Sequence, residues 1–206
     1  MKKSTKATEV KERIIDVTIA LIQTSNGNAA EITTRDIAEK AGVGNGLINY
    51  HFQTKENLIA ICVQRIIGQV VDGFKPNVGH MQNPQERMTY TASQVFEFLF
   101  ANPAISRISI LGDLSDQSDE SNTVKSQKSI CDVLGDSMSQ ADKNLFSFVL
   151  VTAIQAAFLA NQHGGAMIGY LMDTAESRKT FIVKLVNMLL NGVNTESPAE
   201  VSKTYE

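Results

Sequence analysis

The stretch ITTRDIAEKAGVGNGLINYHFQTKENL, residues 32–58, predicts two short helices joined by a tight turn. Thr33 and Asp36 have the spacing of a capping box, in which the threonine hydroxyl and the carboxylate each accept a backbone N–H at the helix start. The first helix should end at Gly42, because glycine enters the left-handed backbone conformation without a steric penalty. The second helix opens near Asn45, and the pair forms a helix-turn-helix arrangement.

The apolar residues of the second helix predict which of its faces is exposed. Ile48 and Phe52 are four residues apart and are available for packing against the core. The outward side is then formed by Gly46, Leu47 and Tyr50, with Asn49 at its flank. Asparagine can pair with adenine, leucine can contact a thymine methyl, and tyrosine can bind a phosphate or stack. These residues favour a DNA-binding surface, and a generic helical hairpin is the alternative.

Lys55 adds a phosphate site at the start of the next helix. Its charge and the unpaired backbone N–H groups of a helix N-terminus both favour an anion. The N-terminal Lys2, Lys3 and Lys6 form either a solvated tail or an arm that adds DNA contacts.

The same segment resembles the N-terminal domain of TetR-family bacterial transcriptional repressors. The resemblance covers about residues 8–60 and is carried by residues 33–43, Gly46, Ile48, His51-Phe52 and Lys55-Glu56-x-Leu58. It implies an all-α fold of about nine or ten helices, with an N-terminal three-helix helix-turn-helix DNA-binding domain. It also implies a larger C-terminal helical domain that binds an inducer and forms a homodimer through its last two long helices.

The resemblance also implies roles for individual residues. Thr34, His51 and Lys55 would contact phosphates, and Arg35 would contact a base or groove. The implied readers of the operator sequence are Asn45, Gly46, Leu47 and Tyr50. The chain departs from the family pattern at two positions: Gly44 replaces a frequent serine, and Asn49 replaces a usual tyrosine. Asn45 is then expected to cap the second helix in place of the serine.

Proline and glycine positions predict the organisation of the rest of the chain. A connecting helix of about twenty residues begins near Lys55, another helix runs from Pro84 to about Ala101, and Pro103 begins the next. The acidic, serine-rich residues 113–122 predict a loop. The expected domains are residues 1–54 for DNA binding, 55–74 for the connecting helix, 75–193 for ligand binding and dimerisation, and 194–206 for a tail. Two long helices follow, at roughly 141–161 and 174–191, and the second should end at Gly192.

The apolar content of the C-terminal half favours an adaptable small-molecule pocket, with ordinary core packing as the alternative. The candidate ligand-binding residues are Met88, Phe96, Ile110, Phe146, Phe158 and His163. Residues 145–172 carry no charge and, together with the apolar last helix, offer more apolar surface than a small domain buries alone. A homodimer would bury this surface. Because Gln155 and other polar residues interrupt the segment, it predicts a helix buried in protein and no membrane partner.

The net charge of −3 speaks at first against a nucleic-acid partner. The charge is unevenly distributed, however. Residues 1–70 contain nine basic and seven acidic side chains, a net charge of +2, and residues 71–206 contain ten and fifteen, a net charge of −5. The predicted DNA-binding part therefore carries the positive excess, and we expect it to bind by a few placed contacts.

The sequence contains no pattern typical of an enzyme. His51, His80 and His163 are scattered, and neither a phosphate-binding glycine loop nor a nucleophile elbow is found. We therefore predict no enzymatic activity, no metal site and no cofactor. Cys62 and Cys131 lack dithiol or zinc spacing and fit free thiols in the cytoplasm. A ligand-responsive repressor that binds a near-palindromic operator is the favoured function, and a helical adaptor or a redox-sensing regulator is the alternative.

Overall fold

The computed structural model describes residues 2–25, 29–115, 118–135, 138–161 and 169–193, with side chains from residue 7 onward in the first helix. Within these ranges the chain is helical and has no strand, which confirms the predicted all-α class. The helices are α1 (Lys2–Thr24), α2 (Thr34–Ala41), α3 (Asn45–Phe52), α4 (Lys55–Gly73), α5 (Pro84–Ala101), α6 (Pro103–Ser115), α7 (Asn122–Leu134), α8 (Gln140–Asn161) and α9 (Ala175–Val193). A short 3₁₀ turn, Ala29–Glu31, precedes α2.

The chain packs into two compact units. The first unit contains Met1–Lys75 and Phe98–Lys125, and the second contains Pro76–Glu97 and Ser126–Glu206. The domain boundaries expected after residues 54 and 74 stay predictions. The expected tail, residues 194–206, lies outside the described residues.

Helix α4 is the central element of the first unit, where it packs against α1, α3 and α6. Its Leu58, Cys62 and Val63 are fully buried in one apolar core with Ile14 of α1. Burial of aliphatic side chains from several helices is the main stabilising contribution to such a unit. The start of α4 is therefore held in a fixed position relative to the helix-turn-helix.

An ion pair joins α1 to α4 at the edge of this core. Arg65 Nη1 lies 2.7 Å from Glu12 Oε2. This hydrogen bond lowers the pKa of Glu12 below its ordinary value and raises the pKa of Arg65. Both side chains remain more than one-third exposed, so the pair contributes little stability and mainly fixes the relative position of the helices.

A polar cluster attaches α6 and the start of α7 to the middle of α4. Gln64 Nε2 donates to the Ser109 carbonyl at 3.1 Å and to Asp113 Oδ1 at 2.9 Å. Gln64 Oε1 accepts from Asn122 Nδ2 at 2.6 Å. A β-carbon at Gly112 would lie 2.9 Å from Gln64 Nε2, so a larger residue there would displace the glutamine amide. We name Gln64, Ser109, Asp113 and Asn122 the α4–α6 polar cluster.

Side-chain contacts between α5 and α9 contribute to the second unit. The rings of Phe96 and Phe181 are 5.6 Å apart between centroids. Arg178 Nη2 lies 2.6 Å from Glu97 Oε2, and this hydrogen bond raises the pKa of Arg178. Helices α8 and α9 also pack against each other.

Helix α8 is long and apolar enough to cross a membrane by length and composition, and in the described residues it is the one single helix of this kind. Core helices of soluble proteins meet the same criteria. One side of α8, including Phe146, Leu150 and Ile154, is buried within the second unit. The other side, including Leu145 and Phe148, is exposed, so the predicted cover by protein is found on one side of α8 only.

Two of the predicted helix boundaries were wrong. The loop expected over residues 113–122 is shorter, because α6 runs to Ser115 and α7 already begins at Asn122. Asp113 contributes to this early start, since its Oδ2 accepts the backbone N–H of Thr123 at 2.7 Å. Helix α9 does not end at Gly192 but continues to Val193.

Candidate nucleic-acid interface

The start of α2 has the capping box that the sequence predicted. Thr33 Oγ1 accepts the backbone N–H of Asp36 at 3.1 Å, and Asp36 Oδ2 accepts the backbone N–H of Thr33 at 3.0 Å. The Thr33 hydroxyl also donates to Asp36 Oδ2 at 2.6 Å. This bond and the one from the Thr33 backbone N–H lower the pKa of the Asp36 carboxyl below its ordinary value. Thr34 and the exposed Arg35 are consequently held at the first turn of a well-defined helix.

The turn between α2 and α3 is also as predicted. Gly42 has φ 63° and ψ 40°, the left-handed conformation that favours glycine. Arg13 Nε donates to the carbonyl of Ala41 at 3.0 Å and so ties the end of α2 to α1. Val43, in the turn, is half-buried against the core. These contacts fix the direction in which α3 leaves the turn.

Helix α3 buries Ile48 and Phe52, each 1% exposed. At 100° per residue, Gly46 and Tyr50 then point away from the core, and Asn49 and His51 lie on the two flanks. Tyr50 is 79% exposed and Leu47 is 41% exposed. Tyr50 is a large side chain on the face of α3 that is farthest from the core, so it can enter a nucleic-acid groove.

The prediction that Asn45 caps α3 was wrong. Gly44 occupies the N-cap position without any side-chain hydrogen bond, and Asn45 is the first residue of the helix. Asn45 is exposed. Because its side chain does not cap the helix, it is available for contact with a partner.

A hydrogen bond from Lys55 joins the start of α4 to the start of α2. Its Nζ donates to the carbonyl of Ile32 at 3.1 Å, directly before the Thr33 cap. The α4 start is itself capped by Thr54, whose hydroxyl accepts the backbone N–H of Asn57 at 3.1 Å. A lysine ammonium beside the first turn of a helix, where Thr34 lies, is an arrangement that suits a phosphate.

Gln53 between α3 and α4 was missed by the sequence reasoning. It has φ 65° and is the one non-glycine residue with positive φ in the described part of the chain. Thr54 N–H donates to the Phe52 carbonyl at 2.7 Å across it. A side chain in this conformation is strained, and nothing in the residue type signals it.

The structure brings all nine predicted DNA-contact residues to one part of the first unit. They lie on the first turn of α2, on α3 and at the first residue of α4: Thr34, Arg35, Asn45, Gly46, Leu47, Asn49, Tyr50, His51 and Lys55. His51 and Lys55 are half-buried. The individual contacts with DNA stay predictions.

The predicted ligand-binding residues are not all in one unit. Met88, Phe96, Phe146 and Phe158 lie in the second unit and are at most 2% exposed. Ile110 is buried in the first unit, and His163 lies outside the described residues. No group of three or more potential metal ligands is found among the residues that the structure describes.

Comparisons with known proteins agree with this geometry. Residues 14–61 match the sequence model of bacterial regulatory proteins of the tetR family. A TetR transcriptional regulator from Rhodococcus sp. RHA1 has a similar structure, with a TM-score of 0.60, 16% identity, and coverage of 94% of this chain and 100% of that chain. A tetR-family regulator from Streptomyces coelicolor has a TM-score of 0.58, 17% identity, and coverage of 89% and 80%. A search of curated protein sequences finds no match.

Proposed function

We propose that this chain is a cytoplasmic transcriptional repressor, because its N-terminal domain belongs to the tetR family of bacterial regulatory proteins. In this proposal it binds a near-palindromic DNA operator as a homodimer and is released by a small apolar or amphipathic inducer. Regulators of this family typically bind DNA and are generally not enzymes. The exposed face of α3 beside the start of α2 and Lys55 is the observation that carries the proposal.

The geometry of α3 divides its residues between base and phosphate contacts. Gly46 and Tyr50 lie opposite the buried Ile48 and Phe52, so they would enter the major groove deepest. Leu47 is placed beside them to contact a base, for example a thymine methyl, and the exposed Asn45 would contact a base from the first residue of the helix.

Residues on the flanks would contact the DNA backbone. Asn49 and His51 lie on either side of α3, and Thr34 and Lys55 lie at helix starts, where anions are favoured. Arg35 is exposed on the first turn of α2 and would reach a base or the groove edge. Contacts to phosphates position the protein, and contacts to bases select the sequence.

Exposed apolar side chains on α8 and α9 support the homodimer. Leu145 is 60% exposed, Phe148 is 55% exposed and Met188 is 69% exposed. The two helices pack against each other and would form a four-helix bundle with a second copy. A two-fold dimer would place two copies of α3 about 34–36 Å apart, one turn of DNA, which requires a near-palindromic operator.

The dimer is tested by sedimentation of the full chain at micromolar concentration. The double variant Phe148→Glu/Met188→Glu should be monomeric, because each charge would be buried without a partner. Leu114→Glu is the matched control, since Leu114 is 60% exposed and lies in the first unit. A wild-type monomer, or a dimer that survives the double substitution, would overturn this part of the proposal.

DNA binding is tested by selecting bound duplexes from a random pool and measuring affinity against salt. Arg35→Ala and Lys55→Ala should weaken binding, and loss of one phosphate contact should reduce the salt slope by about 0.9. Lys128→Ala is the control, because Lys128 is exposed in the second unit. A helical adaptor, the second candidate function, would enrich no sequence and respond to neither substitution.

Tyr50→Ala separates readout from positioning. If Tyr50 enters the groove, the selected sequence should change at one or two positions, whereas a phosphate contact would weaken all sequences alike. An unchanged selected sequence with uniformly lower affinity would place Tyr50 on the backbone instead.

A further inference from the structure

The two flanks of α3 differ in the charge that they can offer to DNA. Asn45 and Asn49 lie on one flank, and His51 lies on the other. Helix α3 contains no lysine or arginine, and His51 is its one side chain that can become a cation. A helix in the major groove has a sugar-phosphate strand on either side. The flank of Asn49 would therefore face a phosphate strand without any charge of its own.

A lysine of α1 lies beside this neutral flank. Lys11 Nζ is 5.9 Å from the centroid of the ring of Phe52, the last residue of α3. Phe52 follows Asn49 by three residues, so the two are neighbours on the helix surface, about 60° apart around the axis. His51 is about 100° from Phe52 in the opposite direction. The contact with Phe52 thus places the Lys11 ammonium nearer to the flank of Asn49.

The Lys11 ammonium has the donors that a phosphate requires. Lys11 is exposed, and it forms no ion pair with the residues that the structure describes. The face of an aromatic ring attracts a cation, but it leaves the N–H donors of the lysine available for an oxygen acceptor. Phe52 itself is 1% exposed. The ring therefore positions the lysine and cannot contact a partner in its place.

The charge of the first half of α1 also favours an anion. Residues 2–13 contain five basic and two acidic side chains. One of the two acids, Glu12, is paired with Arg65 of α4 at 2.7 Å. The other, Glu9, is two residues from Lys11, which puts it about 200° away around the helix. The positive excess on this part of α1 would attract a phosphate strand towards Lys11.

We propose that Lys11 binds a backbone phosphate of the operator on the Asn49 flank of α3, as a DNA contact in addition to the nine predicted ones. This inference rests on the proposed function, because it adds a contact to the same DNA complex. Phosphates are alike at every base pair. Lys11 would therefore raise the affinity and fix the position of α3 in the groove, without selecting the sequence that is bound.

The test measures the affinity of the full chain for the duplex selected from the random pool, as a function of salt concentration. Lys11→Met removes the charge and keeps an apolar stem over Phe52. It should reduce the salt slope by about 0.9 for each bound copy, so the affinity advantage of the wild type should fall about 3.5-fold per copy between about 50 and about 200 mM salt. Lys11→Arg should keep the wild-type slope, because a guanidinium also binds a phosphate.

Lys40→Met is the matched control. Lys40 is also an exposed lysine of the first unit, in the last turn of α2. It lies about 140° around that helix from Arg35, the predicted DNA contact on α2. Its replacement changes the net charge by the same amount as Lys11→Met, but it should leave the salt slope unchanged. Equal changes in the two variants would mean that only the overall charge matters.

A second readout separates a phosphate contact from a packing role. If Lys11 only held α1 against Phe52, Lys11→Met would lower the melting temperature and weaken DNA binding equally at all salt concentrations. Replacing single phosphates of the duplex by uncharged methylphosphonates locates the contact. At one phosphate of each half-site, the replacement should weaken binding by the wild type and have no further effect on Lys11→Met. Selection with Lys11→Met should enrich the same sequence as the wild type.

Four results would overturn the inference: an unchanged salt slope in Lys11→Met, an equal change in Lys40→Met, a changed selected sequence in Lys11→Met, or no phosphate whose replacement is silent in that variant. In each of these cases the wild type still selects and binds DNA, so the proposed function stands. A wild-type chain that enriches no duplex contradicts the proposed function, and the inference fails with it.

Discussion

Replacing Gly112 with alanine tests whether the α4–α6 polar cluster holds the first unit together. The new β-carbon would lie 2.9 Å from Gln64 Nε2, closer than such atoms approach in real structures. A glutamine amide is flexible and could move away. Moving it, however, breaks its bonds to the Ser109 carbonyl and to Asp113.

The expected loss of stability follows from these two bonds. A neutral hydrogen bond contributes about 1 kcal/mol and one to a charged group about 2 kcal/mol. Alanine is favoured over glycine in a helix by about 1 kcal/mol, which offsets part of the loss. The net destabilisation should be about 2 kcal/mol, which lowers the melting temperature by about 5 °C in a chain of this size.

Urea unfolding followed by circular dichroism at constant pH measures the change. Gly73→Ala is the control, because Gly73 is also in a helix of the first unit and a β-carbon there meets nothing within 4 Å. It should be slightly stabilising. In a Gln64→Ala background, Gly112→Ala should lose its cost, since the clashing amide is gone. A Gly112→Ala protein as stable as Gly73→Ala, or a cost that persists without Gln64, would refute the reasoning.

Three further predictions concern single residues. Gln53→Gly should stabilise the protein by about 1 kcal/mol, because glycine tolerates the positive φ, and an unchanged urea midpoint contradicts this. Since the pKa of Asp36 in the folded protein is lowered, stability should fall as the pH drops from the ordinary aspartate pKa through that lowered pKa. In Asp36→Asn this loss of stability at acid pH should be smaller. Urea midpoints at successive pH values measure the difference. Burial raises the pKa of Cys62 to about 12, so Cys62 should resist a thiol reagent in the native state. The half-buried Cys131 should react first. Rapid labelling of Cys62 would instead favour the alternative of a redox-sensing regulator.

The local signals of the helix-turn-helix could be read from the sequence because each depends on residues close together in the chain. The Thr33–Asp36 capping box and the Gly42 turn are set within three to nine residues of one another. The four-residue spacing of Ile48 and Phe52 likewise decided which face of α3 is exposed. Such features follow from backbone chemistry and helical periodicity alone.

Features that depend on distant residues could not be predicted in this way. Apolar content made Ile110 and Phe96 candidate ligand-binding residues with core packing as the alternative, and both are buried, but it did not indicate that they lie in different units. The bond from Asn122 to Gln64 joins residues 58 positions apart. The positive φ of Gln53 has no sequence signal, because the geometry of α3 and α4 imposes it on a residue that does not favour it.

The hydrogen bond from Lys55 to the Ile32 carbonyl has a consequence for the entropy of the proposed DNA complex. A free lysine side chain loses about 1.5–2 kcal/mol of rotamer freedom when it is fixed. Lys55 is already anchored at 3.1 Å in the protein without DNA, and its ammonium has two further N–H donors. Much of the ordering therefore takes place when the chain folds, and a phosphate oxygen would meet a donor group that is already in place.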